Sequence, residues 1–366
     1  MKTDKRYMQR ALRLAARARG RTNPNPMVGA VIVKDGVIIA EDYHRKAGEL
    51  HAEALALKHA GDAARGADLY VTLEPCCHTD KRTPPCTQAI LASGIRRVVV
   101  AMEDPNPKVA GKGISELKNK GVDVIVGVCE TEARVLNESY CTYIVEHRPF
   151  VILKSAMTLD GKIATPDGQS KWITGEKARR VVHEMRSSVD ALVSAIGTVK
   201  ADNPQFTSRI RGGRNPKRII IDPNLETPMT HHVLTTPPET ILVVSESVRK
   251  RYADKTGLLT MRGVEVLSYD GDRLDLAWLM RLLAARGITS VLIEGGASLN
   301  ASALQAGIVD KVAIFVAPKM IGGRESLTPV GGDGFRSLDN PYRIERLHVR
   351  HIDEDLLIEG YVSREA

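Results

Sequence analysis

Apolar positions at Met8, Ala11, Leu12 and Ala15 recur at the spacing of one helix face, so the chain opens on an amphipathic helix. A loop, Asn23-Pro24-Asn25-Pro26, separates it from an apolar run at 28–33, a Lys34-Asp35-Gly36 turn and a second run at 37–40. That is the pattern of a β-hairpin with Asp-Gly at its turn. Helical periodicity then predicts helices over 51–63, 87–92 and 113–119, alternating with strands at 69–73, 97–101 and 122–126. One hairpin followed by repeated strand and helix units implies a mixed sheet covered by helices on both faces.

A helix over 130–145 runs into His147-Arg148-Pro149, where the proline is a stop signal. A second alternating series begins with a strand at 150–155. Helices follow at 176–188, 274–285 and 298–306, with strands at 191–194, 218–221, 240–244, 290–293 and 311–316 and two late strands at 343–349 and 355–361. The pattern therefore predicts an α/β protein of two domains, 1–148 and 149–366, with no internal repeat.

Length agrees, since 366 residues at about 150 per domain give two. With 43% hydrophobic residues and no apolar run near the ~18 needed to span a bilayer, a disordered or membrane-spanning class is excluded. The net charge of +8 invites a nucleic-acid reading, but eight of the first 21 residues are basic and only Asp4 is acidic. These arginines read as the solvated face of the opening helix. No signal-peptide core is present, so a cytoplasmic location is expected. Cys76, Cys77 and Cys86 crowd into eleven residues of a chain with five cysteines. In a reducing compartment such a cluster points to metal binding or catalysis rather than disulfides.

Three pieces of the first half fit one chemistry. His51-Ala52-Glu53 opens a helix, Glu74-Pro75-Cys76 follows a strand, and Pro84-Pro85-Cys86 opens the next helix. A hydrolytic zinc site needs three protein ligands, an open position for water, and a carboxylate that is not a ligand to move protons. The His-x-Glu pair alone is no rarer than chance allows. The order His-x-Glu, Pro-Cys, Cys, each at a junction with a helix, matches the signature of base and nucleoside deaminases. Residues two apart on a helix do not share a face, so His51 and Glu53 can converge only at the helix end.

These residues, with Asn25-Pro26-Met27-Val28-Gly29, His44, Thr72-Leu73-Glu74-Pro75-Cys76 and Asp104-Pro105-Asn106-Pro107, resemble the bifunctional pyrimidine deaminase/reductase family of riboflavin biosynthesis. The resemblance implies a cytidine deaminase-like three-layer domain in which His51, Cys76 and Cys86 bind one zinc ion and Glu53 shuttles protons. It implies Asn25 as a pyrimidine contact, and His44, His78 and Arg82 or Lys81 as ligands of the ribose phosphate. Nine residues separate Cys76 from Cys86 where the family has eight, so Cys77 is an alternative ligand. Lone Cys129 and Cys141 read as buried thiols.

The second half lacks a Gly-x-Gly-x-x-Gly turn after a strand, which argues against an ordinary dinucleotide fold. Instead a strand runs into Glu294-Gly295-Gly296-Ala297-Ser298, a glycine pair leaving amides open at a helix start. With Lys154 to Gly161, Ser170-Lys171-Trp172, Arg186 and Gly197 to Pro204, this resembles the family's reductase half. The resemblance implies a dihydrofolate reductase-like domain. Ala156, Trp172, Thr198, Asp202, Gly296, Ala297, Ser298, Leu299, Asn300, Ala301 and Ser302 would line the NADPH site, and Ser170, Arg186, Phe206, Arg209 and Glu294 would hold the substrate. Lys154 and Asp160 are candidates for proton handling.

The implied sequence is hydrolytic deamination of 2,5-diamino-6-(5-phosphoribosylamino)pyrimidin-4(3H)-one to 5-amino-6-(5-phosphoribosylamino)uracil, then reduction of the ribosyl to the ribityl side chain. Its partners would be that small phosphorylated pyrimidine and other copies of the chain, with no nucleic acid and no membrane. Two rivals differ in class. A tRNA or DNA base deaminase with an accessory domain would bind nucleic acid in a salt-sensitive way, and a metabolite-binding protein with a structural zinc would release no ammonia.

Overall fold

The computed structural model describes residues 2–77 and 84–363. It divides into two compact units, Met1–Arg148 and Pro149–Ala366.

In the first unit β1 (Gly29–Lys34), β2 (Val37–Tyr43), β3 (Asp68–Val71), β4 (Arg97–Val100) and β5 (Asp123–Val126) form one sheet in the order β2-β1-β3-β4-β5. The hairpin and β3 pair antiparallel, while β3, β4 and β5 are parallel. The opening helix, Lys2–Ala15, buries Met8, Ala11 and Leu14 in the same core as Ile32, Leu69 and Val99. Gly29 makes this docking possible: a Cβ there would lie 2.1 Å from the Ala11 carbonyl oxygen. The helix predicted over 130–145 is instead two, Glu130–Leu136 and Glu138–Glu146. The break is at Asn137, whose buried amide accepts from Met27 N at 2.8 Å and donates to Met27 O at 3.0 Å. A side chain that pairs with a distant backbone displaces its own helix.

The second unit carries β6 (Phe150–Thr158), β7 (Ala191–Ala195), β8 (Lys217–Ile221), β9 (Thr240–Ser245), β10 (Glu265–Tyr269), β11 (Ser290–Ile293), β12 (Lys311–Ala317), β13 (Ile344–Ile352) and β14 (Asp355–Val362). Their order is β10-β9-β8-β7-β11-β6-β12-β14-β13, parallel except where β14 meets β12 and β13. β11 lies between β6 and β7, so the carboxyl ends of these three strands form the crevice where open α/β sheets place ligands. Arg218, 1% exposed, donates to the carbonyls of Gln205, His232, Thr236 and Pro238 and so gathers the segments beneath β8. β13 is exposed along nearly its whole length and forms the sheet's outer edge. No helix among the described residues is long and apolar enough to cross a membrane.

Candidate functional site

In the first unit, helix ends bring the predicted ligands together. His51 is the extended cap residue of the helix Ala52–Ala60, with Glu53 buried in its first turn. Cys86 is the first residue of the helix Cys86–Ser93, behind Pro84-Pro85. His51 Nδ1 lies 3.2 Å from Cys86 Sγ and 3.6 Å from Cys76 Sγ, and all three ligand atoms fall within 4.8 Å of one another. Tetrahedral zinc with ordinary Zn–N and Zn–S lengths needs nitrogen–sulfur separations of about 3.5 Å, so the donor set fits the ion. The Cys86 backbone N–H points to Cys76 Sγ at 3.4 Å, and a helix N-terminus favours thiolates.

Among the described residues the metal-capable group is His51, Cys76 and Cys86, without Cys77. Glu53 is 3% exposed and, among the described residues, its Oε2 has no hydrogen-bond partner. Burial pushes its carboxyl above the ordinary range, against the pull of His51. A buried carboxylate with one oxygen left open beside three metal-capable side chains is what a proton shuttle requires.

His44 is 2% exposed and packs edge-on to the His51 ring at 5.5 Å. Both its nitrogens are engaged, Nδ1 with Leu50 O at 3.1 Å and Nε2 with Asn25 Nδ2 at 3.3 Å. Among the described residues these are the ring's hydrogen-bond contacts. His78, Lys81 and Arg82 lie outside the described residues.

One residue that sequence reasoning left without a role is Glu74. Its carboxylate accepts from the backbone N–H of Asp104, Gly111 and Ile114 at 3.2, 2.9 and 3.1 Å, tying the loop after β4 to the segment that carries Cys76. At the same contact, a Cβ on Gly113 would lie 2.0 Å from Pro75 O. Gly113→Ala is therefore expected to displace the peptide before Cys76 and weaken zinc binding about 10–100-fold, as outer-shell changes do. Competition with a chromogenic chelator measures this, and wild-type affinity would contradict it.

In the second unit the crevice holds a charge cluster of buried Glu294 with half-buried Arg186 and Lys154. Arg186 Nε and Nη2 donate to the two Glu294 oxygens at 2.6 and 2.8 Å, and Lys154 Nζ lies 3.7 Å from Glu294 Oε2. Register explains the meeting: Leu153 of β6 pairs with Ile293 of β11, so Lys154 and Glu294 follow side by side. Thr207 O accepts from Arg186 Nη1 at 3.2 Å and is paired with His183 Nδ1 at 3.1 Å. The intervening chain is strained, with buried Phe206 at φ +52° and Arg209 at φ +50°. Such conformations in bulky residues concentrate at functional sites.

The predicted cofactor residues surround this crevice unevenly. Trp172 is 61% exposed under the Arg179 guanidinium at 4.7 Å, and Ser170 Oγ donates to Asp202 Oδ1 at 3.2 Å. Ala156 and Thr198 are half-buried. Gly296 starts the helix Ala297–Gln305 without a side-chain cap, and a Cβ on it would meet Thr198 Oγ1 at 3.9 Å. The open helix start fits a dinucleotide phosphate, and the exposed indole fits a planar ring. Of the run to Ser302, Leu299 and Asn300 are buried, Asn300 donating to Pro329 O at 2.8 Å, so Gly296, Ala297, Ser298, Ala301 and Ser302 carry the accessible surface. Asp160 is held by hydrogen bonds to Thr158, Ile321 and Gly322. Its carboxylate accepts from Thr158 Oγ1 at 2.6 Å and from the backbone of Ile321 and Gly322 at 3.3 and 2.7 Å, which clamps a loop.

Two family models match separate parts of the chain. The family model of the RibD C-terminal domain matches residues 149–358, and that of the cytidine and deoxycytidylate deaminase zinc-binding region matches residues 1–102. The riboflavin biosynthesis protein RibD of Aquifex aeolicus is 46% identical over 97% of both chains. Among solved structures, RibD of Acinetobacter baumannii is 38% identical with a TM-score of 0.88 over 99% of each chain. The diaminohydroxyphosphoribosylaminopyrimidine deaminase/5-amino-6-(5-phosphoribosylamino)uracil reductase of Thermotoga maritima is 39% identical with a TM-score of 0.87, again over 99% of each chain.

Proposed function

The chain belongs to the RibD family, a zinc-dependent deaminase and an NADPH-dependent reductase of riboflavin biosynthesis in one polypeptide, and on that premise we propose how its residues divide the two steps. Residues 1–148 carry the deaminase and 149–366 the reductase. The observation that carries the first assignment is the unpartnered Glu53 oxygen beside His51, Cys76 and Cys86.

His51, Cys76 and Cys86 would hold zinc, which when bound would supply the Lewis acidity that activates water. Asn25 holds the diaminopyrimidine by a hydrogen bond. Glu53 takes the proton that water gives up as its oxygen bonds to the amine-bearing ring carbon. It then delivers that proton to the departing amine, so that a C–N bond is exchanged for a C–O bond and ammonia leaves.

In the second half, bound NADPH would supply the hydride by which C1′ of the ring-opened ribosylamino group becomes ribitylamino. Trp172, Thr198, Asp202 and the helix start at Gly296 position the cofactor. Lys154, half-buried beside Glu294, delivers the proton that the opened sugar gains with the hydride. Arg209 and the two N–H groups that Arg186 has left after Glu294 and Thr207 hold the phosphate, with Ser170 and Phe206 beside them.

The decisive experiment is incubation with the diaminopyrimidinone ribosyl phosphate, with and without NADPH. Ammonia is expected without cofactor, and NADPH oxidation only after deamination. Oxidation that precedes ammonia release would overturn the order.

We also infer a homo-oligomer formed through β13, an exposed edge strand carrying Leu347 and Val349 at 59% and 50% exposure. Sedimentation equilibrium should find more than one chain per particle, and Leu347→Lys should shift it to monomer; a wild-type monomer contradicts this. The cytoplasm is the matching compartment, because its thiol poise keeps Cys76 and Cys86 reduced. Recovery of the activity with membranes on fractionation would contradict it.

A further inference from the structure

The turn at 206–209 lies against the helix Glu176–Ser188, which carries both His183 and Arg186. Three residues apart, these two side chains share a helix face, and both reach the Thr207 carbonyl oxygen. A carbonyl has two lone pairs, and here both are taken. The other end of that peptide is held as firmly. Ser208 is buried, and its N–H and its Oγ both turn to Asn215 Oδ1, at 2.8 and 3.1 Å. Asn215 is anchored through its neighbour, since the Arg214 N–H donates to Ser187 Oγ of the same helix at 3.0 Å.

The peptide plane between Thr207 and Ser208 is therefore fixed at both polar ends. Rotating it would change ψ of Thr207 and φ of Ser208, and with them the course of the chain on either side. Phe206 and Arg209 flank it at φ +52° and +50°, left-handed values that bulky residues keep only where the surroundings over-determine them. Of the two donors to Thr207 O, Arg186 is already committed to both Glu294 oxygens. His183 Nδ1, at 3.1 Å, serves the turn without drawing on that pair. A carbonyl only accepts, so Nδ1 carries a proton whether the ring is neutral or charged. Arg209 stands exposed at the end of the turn, and where its guanidinium points depends on the backbone beneath it.

We propose that His183 is a positioning residue of the reductase half: by pinning the Thr207 carbonyl it keeps the turn at 206–209 in its left-handed form and so holds Arg209 toward the substrate phosphate. This rests on the reading that Arg209 contacts that phosphate. A direct phosphate contact by His183 differs in its consequence, because its loss would be independent of Arg209.

The test follows NADPH oxidation with the deaminated intermediate supplied directly, and with its dephosphorylated nucleoside, for His183→Leu, His183→Gln, His183→Asn, Arg209→Ala and the double variant His183→Leu/Arg209→Ala. Unchanged emission from Trp172 and Trp278 reports that the reductase half of each variant is folded. Asn carries its amide nitrogen at the reach of Nδ1 and Gln at that of Nε2, so the two amides separate this one bond from mere polarity. On the phosphorylated intermediate KM should rise about 10–30-fold in His183→Leu and His183→Gln with kcat within about 3-fold of wild type, the mark of lost uniform binding. His183→Asn should return KM to within about 3-fold. On the nucleoside, His183→Leu and wild type should agree within about 3-fold, and on the phosphorylated intermediate the double variant should be no worse than Arg209→Ala alone. Equal losses in His183→Asn and His183→Leu, a deficit that persists on the nucleoside, or losses that multiply in the double variant would each overturn the proposal. Should His183→Leu not fold, the comparison of His183→Gln with His183→Asn decides. If Arg209→Ala raises KM and His183→Leu does not, the proposal alone fails; if Arg209→Ala leaves KM unchanged, the reading beneath it fails as well.

Discussion

Glu53→Gln is expected to retain one zinc per chain and lose deamination by at least about 10³-fold. The amide keeps the size and shape of the carboxylate but cannot accept a proton, and both proton transfers pass through this side chain. Each transfer by a positioned group contributes typically 10²–10⁴-fold. Glu53 is buried, and among the described residues its Oε2 has no hydrogen-bond partner. Zinc binding should survive, since the ligand atoms are those of His51, Cys76 and Cys86. Reduction should also survive when the deaminated intermediate is supplied directly. Metal analysis, ammonia release and NADPH oxidation on one preparation check all three, and retained deamination would remove Glu53 from the mechanism.

The second large effect is expected from Glu294→Gln. Burial alone would raise the Glu294 carboxyl, but Arg186 and Lys154 outweigh it and hold the group at about 2. Removing the charge strands two cations, one of them, Lys154, already pushed downward by burial. Breaking a buried pair in this way costs about 3–5 kcal/mol. The folded carboxyl lies below its ordinary value of 4.5, so its contribution is complete above that pH and is lost as pH falls toward 2. The stability gap between wild type and variant should therefore be full at neutral pH and narrow as pH falls below 4.5. Urea unfolding reads this half of the chain selectively, because the two tryptophans, Trp172 and Trp278, both belong to it. Reduction should fall with stability, and equal urea midpoints at neutral pH would show that the cluster is not coupled to folding.

Strands and ligands were legible in sequence to different depths. The alternating elements of the first half follow from apolar periodicity, and the metal group from cysteine and histidine placement at helix starts. What was not legible depends on partners remote in sequence. Asn137 breaks a periodic helix because Met27, in another segment, offers it a backbone pair. Glu74 looks like part of a ligand motif and is a clamp for three amides. Between β8 and the helix Leu276–Ala285, the sequence pattern predicts one strand, whereas the fold also contains β10 and the helices His232–Thr235, Glu246–Arg251 and Ala253–Met261. β10 is a sheet-edge strand only partly buried, so it carries little of the apolar signal that marks β8 and β9. Family resemblance named Asp160 and His44 but could not give the hydrogen bonds that occupy them.

The place of β11 between β6 and β7 also governs the order in which the chain can fold. Residues of the first unit find their sheet partners within the first 148 positions, so that half can close while the rest is still being synthesised. β6 emerges first in the second unit, yet its neighbours in the sheet are β11 and β12, and the Val151 N–H awaits Asp310, 159 residues later. Closing so long a loop before any contact rewards it is slow. Until then β6 stands as an apolar edge without its mates, and the crevice it helps to form is absent from a nascent chain that already has a finished deaminase half.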